Sequence, residues 1–272
     1  MTEMTLRVVF LGILQGFLEW LPISSQGNLV LVMIYLLGMG GAEALNLSVY
    51  LHIGTLFAAL AYFRRDFFTL AKALPNYRFR YSNGVNNLIS FLLFSSIISG
   101  FIGYFILKLT EISLTIGESF TGIIGVALIM TGLLQKYARK CEKRKIEDVK
   151  FSDIFLLGVV QGFSAFPGIS RSGITISALL FREFKGEAAI KLSFLMSVPA
   201  VLGAELGLGL AGGFISVGTI ELILGCLSSF LTGLLSIHVL IKAAQKINFW
   251  AFCMLVGFLA LLPTFSYLLR NY

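Results

Sequence analysis

The sequence predicts an all-α, polytopic membrane protein in which two similar halves form an inverted-topology repeat. First, hydrophobic residues make up 57% of the 272 residues and charged residues only 13%, whereas a soluble domain has roughly a quarter charged residues. Second, several apolar runs approach the ~20 residues that a helix needs to cross a bilayer. Third, two polar loops, 22–28 and 167–173, resemble each other.

The resemblance between the loops belongs to a longer internal repeat. Residues 11–17 resemble residues 157–163 at an offset of 146, and the same offset places 22–27 on 168–173. Several matches in the same order indicate a duplication rather than chance. The weaker matches pair Leu47 and Ser48 with Leu192 and Ser193, and pair Ser95, Ser96 and Gly100 with Ser228, Ser229 and Gly233.

Each polar loop is flanked by apolar segments that are too short to cross a bilayer. These segments have eight to 16 residues, which is typical of re-entrant segments. Each half therefore begins with a re-entrant helical hairpin, 5–40 or 153–182, and continues with three transmembrane helices. The predicted spans are 45–62, 88–108 and 117–135 in repeat 1 (1–135), and 191–211, 217–241 and 248–269 in repeat 2 (151–272).

Basic residues cluster in two segments. Seven of the 21 Lys and Arg residues fall in the linker 136–150, and five more fall in 63–80. Basic loops stay on the cytoplasmic side, so we expect the linker to be cytoplasmic. Because three spans are an odd number, the second half enters the plasma membrane from the opposite face, and both termini lie outside. We interpret the basic segments as topology signals and anionic-lipid contacts, not as a nucleic-acid site.

The three cysteines, Cys141, Cys226 and Cys253, show neither pairing nor metal-binding spacing. We expect three free thiols. Residues 1–7 lack a clear basic region and cleavage site, so no signal peptide is predicted.

The second polar loop contains Arg171 between Ser170 and Ser172. An arginine at membrane depth is costly and requires an anionic partner. Two hydroxyls, a guanidinium and a helix that begins near Gly173 together form a phosphate cradle. The alternative is a structural ion pair between Arg171 and Glu19.

The first polar loop follows Glu19 and offers hydroxyl and amide side chains. A carboxylate in a partly apolar cavity can act as a general base or a metal ligand. The alternative is a cluster of capping residues that only begins a short helix. His52 lies among apolar neighbours, and we leave open a packed histidine and a catalytic one. The amide and hydroxyl side chains of this loop are Ser24, Ser25, Gln26 and Asn28.

Both loops resemble motifs of the integral-membrane undecaprenyl-diphosphatases, which act on polyprenyl diphosphates. The first family motif reads Glu-Gly-x-x-Glu-(Phe/Trp)-Leu-Pro-(Ile/Val)-Ser-Ser-Thr-Gly-His, and 15–28 is similar to it. The second, Pro-Gly-x-Ser-Arg-Ser-Gly, is intact at 167–173. The segments 51–56, 62–65 and 194–200 also look like the family, so the resemblance covers nearly the whole chain.

The resemblance implies hydrolysis of a polyprenyl diphosphate to the monophosphate and inorganic phosphate, with a divalent cation, Mg²⁺ or Ca²⁺, as cofactor. It also implies the inverted-repeat fold. Glu19, Ser24, Ser25 and Arg171 match positions that are implicated in the family's site. Three positions depart from the first motif, because the chain has Gln15, Gln26 and Asn28 where the family has glutamate, threonine and histidine. Asparagine neither takes up nor releases a proton near neutral pH, so a slow enzyme is expected.

These observations lead to one hypothesis and one alternative. We expect hydrolysis of undecaprenyl diphosphate to recycle the lipid carrier of cell-envelope synthesis; the alternative is a polyprenyl-phosphate binder or flippase without efficient hydrolysis. The expected partners are the lipid substrate, membrane lipids and a second copy in a homodimer, but no nucleic acid. The candidate catalytic residues are Glu19 (also the candidate metal ligand), Ser25 and Arg171; the candidate phosphate-binding residues are Ser24, Gln26, Gly27, Asn28, Ser170, Ser172 and Gly173; Gln15 and His52 are candidate auxiliary residues.

Overall fold

The computed structural model describes residues 3–78, 84–114, 119–138, 143–210, 217–246 and 249–271. Within these ranges the chain is helical and forms no β-strand. The helices are α1 (Glu3–Leu18), α2 (Ser25–Tyr35), α3 (Gly41–Tyr62), α4 (Arg64–Ala73), α5 (Val85–Leu114), α6 (Ser119–Tyr137), α7 (Phe151–Phe163), α8 (Arg171–Phe181), α9 (Gly186–Leu210), α10 (Thr219–Lys246) and α11 (Trp250–Asn271).

Five described helices are long and apolar enough to cross a membrane, which confirms the predicted all-α membrane class. Gly41–Tyr62, Val85–Thr110, Phe120–Tyr137, Gly186–Glu205 and Thr219–Lys242 correspond to five of the six predicted spans. The sixth, 248–269, falls on α11 (Trp250–Asn271), of which the continuously described part, Trp250–Pro263, is apolar but shorter than a spanning helix. That sixth span therefore stays a prediction.

The polar loops are shorter than the sequence suggested, because both following helices begin inside them. α2 begins at Ser25 and α8 at Arg171. The hydroxyl of Ser24 accepts a hydrogen bond from the Gly27 N–H at 3.3 Å. The hydroxyl of Ser170 accepts one from the Gly173 N–H at 3.1 Å. Such side-chain caps satisfy the free N–H groups of a first helical turn, so half of each predicted loop is helical.

The first hairpin arm of each half packs closely against a long helix of the other half. α1 lies on α10, and α7 lies on α5. A methyl group on Gly16 of α1 would lie 2.9 Å from the carbonyl oxygen of Ser229, and one on Gly162 of α7 would lie 3.2 Å from that of Ser99. Glycine is therefore required at both crossings, because the backbones approach too closely for a side chain.

A buried ionic cluster ties the linker to the second half. Asp153, at the start of α7, is fully buried and forms salt bridges with Arg144 and Arg182, whose Nε lies 2.7 Å from its carboxylate. The Arg144 guanidinium also lies over the Phe184 ring, 4.1 Å from its centroid. A buried carboxylate is tolerated only with such partners. Residues 139–142 of the linker, including Cys141, lie outside the described residues.

Large apolar side chains cover the outside of the long helices. Phe101 on α5 is 68% exposed, Leu235 on α10 is 81% exposed and Leu262 on α11 is 61% exposed. An exposed apolar surface of this extent is characteristic of contact with membrane lipid. Cys226 and Cys253 are free thiols, as expected.

Candidate active site

The tips of the two hairpins meet inside the helix bundle. A methyl group on Gly27 would lie 2.7 Å from the backbone nitrogen of Gly168, which has a φ of +98°. The hydroxyl of Ser172 donates to the Leu21 carbonyl across the same junction at 3.3 Å. Glycine allows both the left-handed turn at 168 and this close approach. The structure therefore brings the two predicted tips together.

An ion pair between Arg171 and Glu19 spans this junction. Nη2 of Arg171 lies 2.5 Å from Oε1 of Glu19, and both side chains are nearly buried. The guanidinium also lies 6.0 Å from the ring centroid of Phe194. Trp20, beside Glu19, donates its Nε1–H to the Gly233 carbonyl at 3.0 Å, which anchors the loop. The ion pair that the sequence left as an alternative is thus present in this structure.

The second oxygen of the Glu19 carboxylate receives several donors. The Ser25 hydroxyl donates to Oε2 at 2.8 Å, and the Gln15 amide nitrogen donates to it at 3.0 Å. Gln15 precedes Glu19 by one helical turn, so its neutral amide acts as a donor where a glutamate would repel the carboxylate. Glu19 is therefore held in one orientation by groups from both tips.

His52 of α3 completes the cluster. Its Nε2 lies 3.3 Å from Oε2 of Glu19 and 3.4 Å from Oγ of Ser25. Its Nδ1 lies 2.7 Å from the Ser48 carbonyl oxygen, one turn earlier in α3. The sequence offered no link between residue 52 and the tips, so only the packing of α3 reveals this position.

A cavity of about 390 Å³ opens from this cluster. Most of the candidate residues line this cavity, together with apolar residues and glycines. Gln161 and Ser99 also line it; the Gln161 amide donates to the Ser99 hydroxyl at 3.1 Å. Gln161 was not among the predicted site residues, although it occupies the position of Gln15 in the second repeat. The lining includes the candidate residues Glu19, Ser24, Ser25, Gln26, His52, Ser170, Arg171 and Ser172, and it also includes Gly100, Gly103, Tyr104, Leu107, Pro199 and Gly203 of α5 and α9.

Four candidate residues lie behind the cavity wall. Gly27 and Gly173 lie in the first turns of α2 and α8, and Gln15 is fully buried under Glu19. The amide nitrogen of Asn28 donates to the carbonyl oxygens of Ile23, at 2.6 Å, and Ser24, at 2.9 Å. Its side chain therefore stabilises the loop backbone, and the geometry does not support the predicted contact between Asn28 and phosphate.

The donor set does not form a metal site from protein ligands alone. Across the described ranges, no group of three or more His, Cys, Asp or Glu side chains is placed to hold a metal ion. Both oxygens of Glu19 already accept hydrogen bonds from Arg171, Ser25 and Gln15. Mg²⁺ and Ca²⁺ require several oxygen ligands, and one occupied carboxylate does not supply them.

Comparison with known proteins agrees with this architecture. Residues 8–262 match the family model described as Bacitracin resistance protein BacA. The chain belongs to this family. It is 44% identical over 269 residues to a protein of Methanococcoides burtonii named undecaprenyl-diphosphatase, covering 95% of this chain and 98% of the relative.

More distant relatives carry the same name. A protein of Methanothrix thermoacetophila is 37% identical, with 95% of this chain and 96% of the relative covered. A protein of Alkaliphilus metalliredigens is also 37% identical, with 91% and 93% covered. Family membership and the five apolar helices make this chain a multi-pass membrane protein.

Proposed function

We propose that this BacA-family chain hydrolyses undecaprenyl diphosphate, or a closely related polyprenyl diphosphate, to the monophosphate and inorganic phosphate. This reaction recycles the lipid carrier for cell-envelope glycan synthesis. The observation that carries the proposal is the Glu19–Arg171 pair at 2.5 Å, because it lies in a cavity that polar and apolar residues line together. We take the candidate residues as the polar end of this cavity and its lining from α5 and α9 as the apolar end, which would suit the charged head and the apolar tail of a lipid diphosphate.

The polar end supplies a binding site for the terminal phosphate. Arg171 provides a planar guanidinium that can turn from Glu19 to phosphate oxygens. The helices α2 and α8 both begin at the cavity, so their positive N-terminal ends favour an anion there. Ser24, Ser170 and Ser172 line the same space. Gln26 lines it as well and is proposed to donate to phosphate oxygens.

The reaction requires a nucleophile and a group that directs it. We propose that Oγ of Ser25, or a water molecule in the same place, attacks the terminal phosphorus while the bridging P–O bond breaks. Glu19 orients the Ser25 hydroxyl through the bond at 2.8 Å. When Arg171 moves to the phosphate, it stabilises the charge that develops in the transition state.

The apolar end accommodates the start of the prenyl chain. Gly100 of α5 and Gly203 of α9 line this end, and a methyl group on either would have no neighbouring atom within 4 Å. The nearby surface carries Phe101, 68% exposed, and Leu202, 45% exposed. We propose that the tail leaves the cavity between α5 and α9 toward the lipid.

We propose that a divalent cation enters the site on the phosphate oxygens of the substrate, because the donors of the described residues alone do not form a metal site. Mg²⁺ or Ca²⁺ commonly reaches such sites bound to phosphate oxygens. Glu19 is the carboxylate that would contact it, and the ion would supply charge neutralisation of the diphosphate. The steps above use the residues of the chain itself.

The packing of the helices supports the inverted repeat. Gly12 and Gly16 face the backbone of residues 225 and 229, whereas Gly158 and Gly162 face that of residues 95 and 99. Each first arm thus crosses a helix of the other half in the same way, as a two-fold arrangement requires. The two sets of backbone partners are related by an offset of 130. The sequence matches between α5 and α10 have an offset of 133. The residues that align in sequence are therefore shifted by three positions, almost one helical turn, from the residues that pack in the same way.

The orientation rests on the charge pattern and stays a proposal, and the assembly is a separate proposal. We propose that the linker 136–150 is cytoplasmic and that both termini lie outside. A cysteine introduced at position 145 should then react with an impermeant reagent only in permeabilised cells. A homodimer is proposed as well, and the mass of the purified protein in detergent tests it.

The competing function is binding or flipping of a polyprenyl phosphate without hydrolysis. Inverted repeats are common in transporters, so the fold supports both functions. An assay of the purified protein in detergent micelles distinguishes hydrolysis from binding or flipping, because a micelle has no two membrane faces between which a lipid could be flipped. We expect release of one phosphate per polyprenyl diphosphate. If the lipid diphosphate binds but remains intact, with and without Mg²⁺ or Ca²⁺, the binder is correct.

A further inference from the structure

We propose that Thr131 and Gln135 of α6 are positioning residues that set where the two hairpin tips lie relative to each other. The inference rests on the proposed hydrolase function. The two side chains lie about one helical turn apart on α6, and neither lines the cavity. They therefore act on the reaction through the residues that they hold, not through contact with the substrate.

Thr131 holds the second tip next to Arg171. Its hydroxyl accepts a hydrogen bond from the backbone N–H of Ser170 at 3.2 Å and donates one to the Gly168 carbonyl at 3.4 Å. Gly168 itself lies against the backbone of α6, because a methyl group there would lie 2.6 Å from the carbonyl oxygen of Ile124. Thr131 is buried, so these bonds are not exchanged for bonds to solvent. The backbone that leads into Arg171 is therefore fixed to α6.

Gln135 holds the first tip and also touches the second. Its amide nitrogen donates to the Pro22 carbonyl at 2.5 Å, and Pro22 lies in the loop that follows Glu19. The thiol of Cys253 on α11 donates to the same carbonyl oxygen at 3.5 Å. A methyl group on Gly173, in the first turn of α8, would lie 2.8 Å from the Gln135 amide nitrogen. One side chain of α6 thus lies between tips that belong to different halves of the chain.

The relative position of the tips determines the geometry of the proposed reaction. Ser25 of the first tip supplies or positions the nucleophile, and Arg171 of the second tip binds the phosphate that is attacked. A misplacement of about 1 Å, even from a change far from the reacting atoms, can cost about 10²-fold in rate. The long side chain of Arg171 can follow a bound phosphate, whereas the alignment for attack depends on the backbone of both tips. Loss of a bond to α6 should therefore lower kcat more than it raises KM.

Thr131 offers a matched pair of variants. Thr131→Val keeps the shape of the side chain and removes its hydroxyl, whereas Thr131→Ser keeps the hydroxyl. For polyprenyl diphosphate hydrolysis in detergent, Thr131→Val should lower kcat per folded molecule by about 10- to 100-fold and leave KM within a few fold. Thr131→Ser should restore most of the lost kcat, which a role in packing alone would not require.

Thr110→Val is the control for the loss of a buried hydroxyl. Thr110 is also buried, but its hydroxyl donates to the Ile106 carbonyl of its own helix, α5, at 2.9 Å. This variant should retain the wild-type kcat. Gln135→Met keeps nearly the length of the side chain and removes the donor to Pro22. Because Gln135 is only partly buried, this variant keeps the test available if Thr131→Val does not fold, and its kcat should fall about tenfold or more.

The outcomes separate positioning from stability and from the proposed function. A kcat per folded molecule within a few fold of wild type in Thr131→Val, or in Gln135→Met, would overturn the inference even if the melting temperature falls. So would a Thr131→Ser that is as slow as Thr131→Val. Phosphate release by the wild-type protein in the same assay tests the proposed function separately, and without it both proposals are wrong.

Discussion

The guanidinium of Arg171 lies 2.5 Å from the carboxylate of Glu19, and this ion pair links the tips of the two halves of the chain. Each residue alone would be a buried charge at membrane depth. Together they form a closed pair that a phosphate group can open by taking Arg171.

Arg171→Lys should weaken substrate binding while preserving the fold. Lysine keeps the charge beside Glu19 but loses the planar, forked donor that phosphate requires. We expect KM for polyprenyl diphosphate to rise by about 10- to 100-fold, the range of one charged hydrogen bond, and the melting temperature to change little. Arg182→Lys, outside the cavity, is the control. A wild-type KM in Arg171→Lys would show that the guanidinium does not bind the substrate.

Large side chains at the apolar end should discriminate substrates by tail length. Gly100→Trp and Gly203→Trp enter open space, so the fold should tolerate them. We expect kcat/KM for the C55 substrate to fall about tenfold or more, a loss of ~1.4 kcal/mol, with little effect on a C5 diphosphate. Gly40→Trp is the control, because it also enters open space but lies outside the cavity. Equal losses for both tail lengths would contradict the proposed tail route.

Asn28→His should not create a faster enzyme. The change removes the amide that donates to the Ile23 and Ser24 carbonyls, and an unsatisfied buried acceptor costs about 1–3 kcal/mol. We expect a lower melting temperature and no gain in phosphate release. Asn28→Asp, of equal size but without the amide donor, should lower the melting temperature by a similar amount. A higher rate at an unchanged melting temperature would place position 28 in the reaction.

Asp153→Asn should destabilise the protein without changing its chemistry. The carboxylate is fully buried between Arg144 and Arg182, and breaking such a pair costs about 3–5 kcal/mol. The melting temperature should therefore fall clearly, while phosphate release per folded molecule stays constant. Asp66→Asn breaks a partly exposed pair with Lys191, which is worth about 0–1 kcal/mol. Equal melting temperatures for the two variants would contradict this assignment.

Local sequence predicted much of the site. The offset of 146 identified both tips, and the need of Arg171 for an anion pointed to Glu19. The Ser–x–x–Gly spacing at 24–27 and 170–173 already contained the capping pattern that begins α2 and α8. Capping therefore stood as an alternative to a loop in the sequence, because polar side chains suit both a loop and a first helical turn.

Other features depend on packing between distant helices and were not predictable locally. His52 reaches Ser25 because α3 passes behind the first tip. Asn28 departs from the motif, but only the bonds to Ile23 and Ser24 show that its amide serves the backbone. The offset of 130 between α5 and α10 is set by the positions at which glycines allow two helices to pack closely. Sequence similarity alone does not show these positions.

The central claim is that the buried Glu19 carboxylate directs hydrolysis of a polyprenyl diphosphate at the junction of the two tips. The most direct measurement compares substrate binding and phosphate release for wild type and Glu19→Gln in detergent. Glutamine keeps the size of the side chain but removes its charge. We expect the variant still to bind the diphosphate and to release phosphate about 10²–10⁴-fold more slowly. Release at the wild-type rate by Glu19→Gln would contradict it.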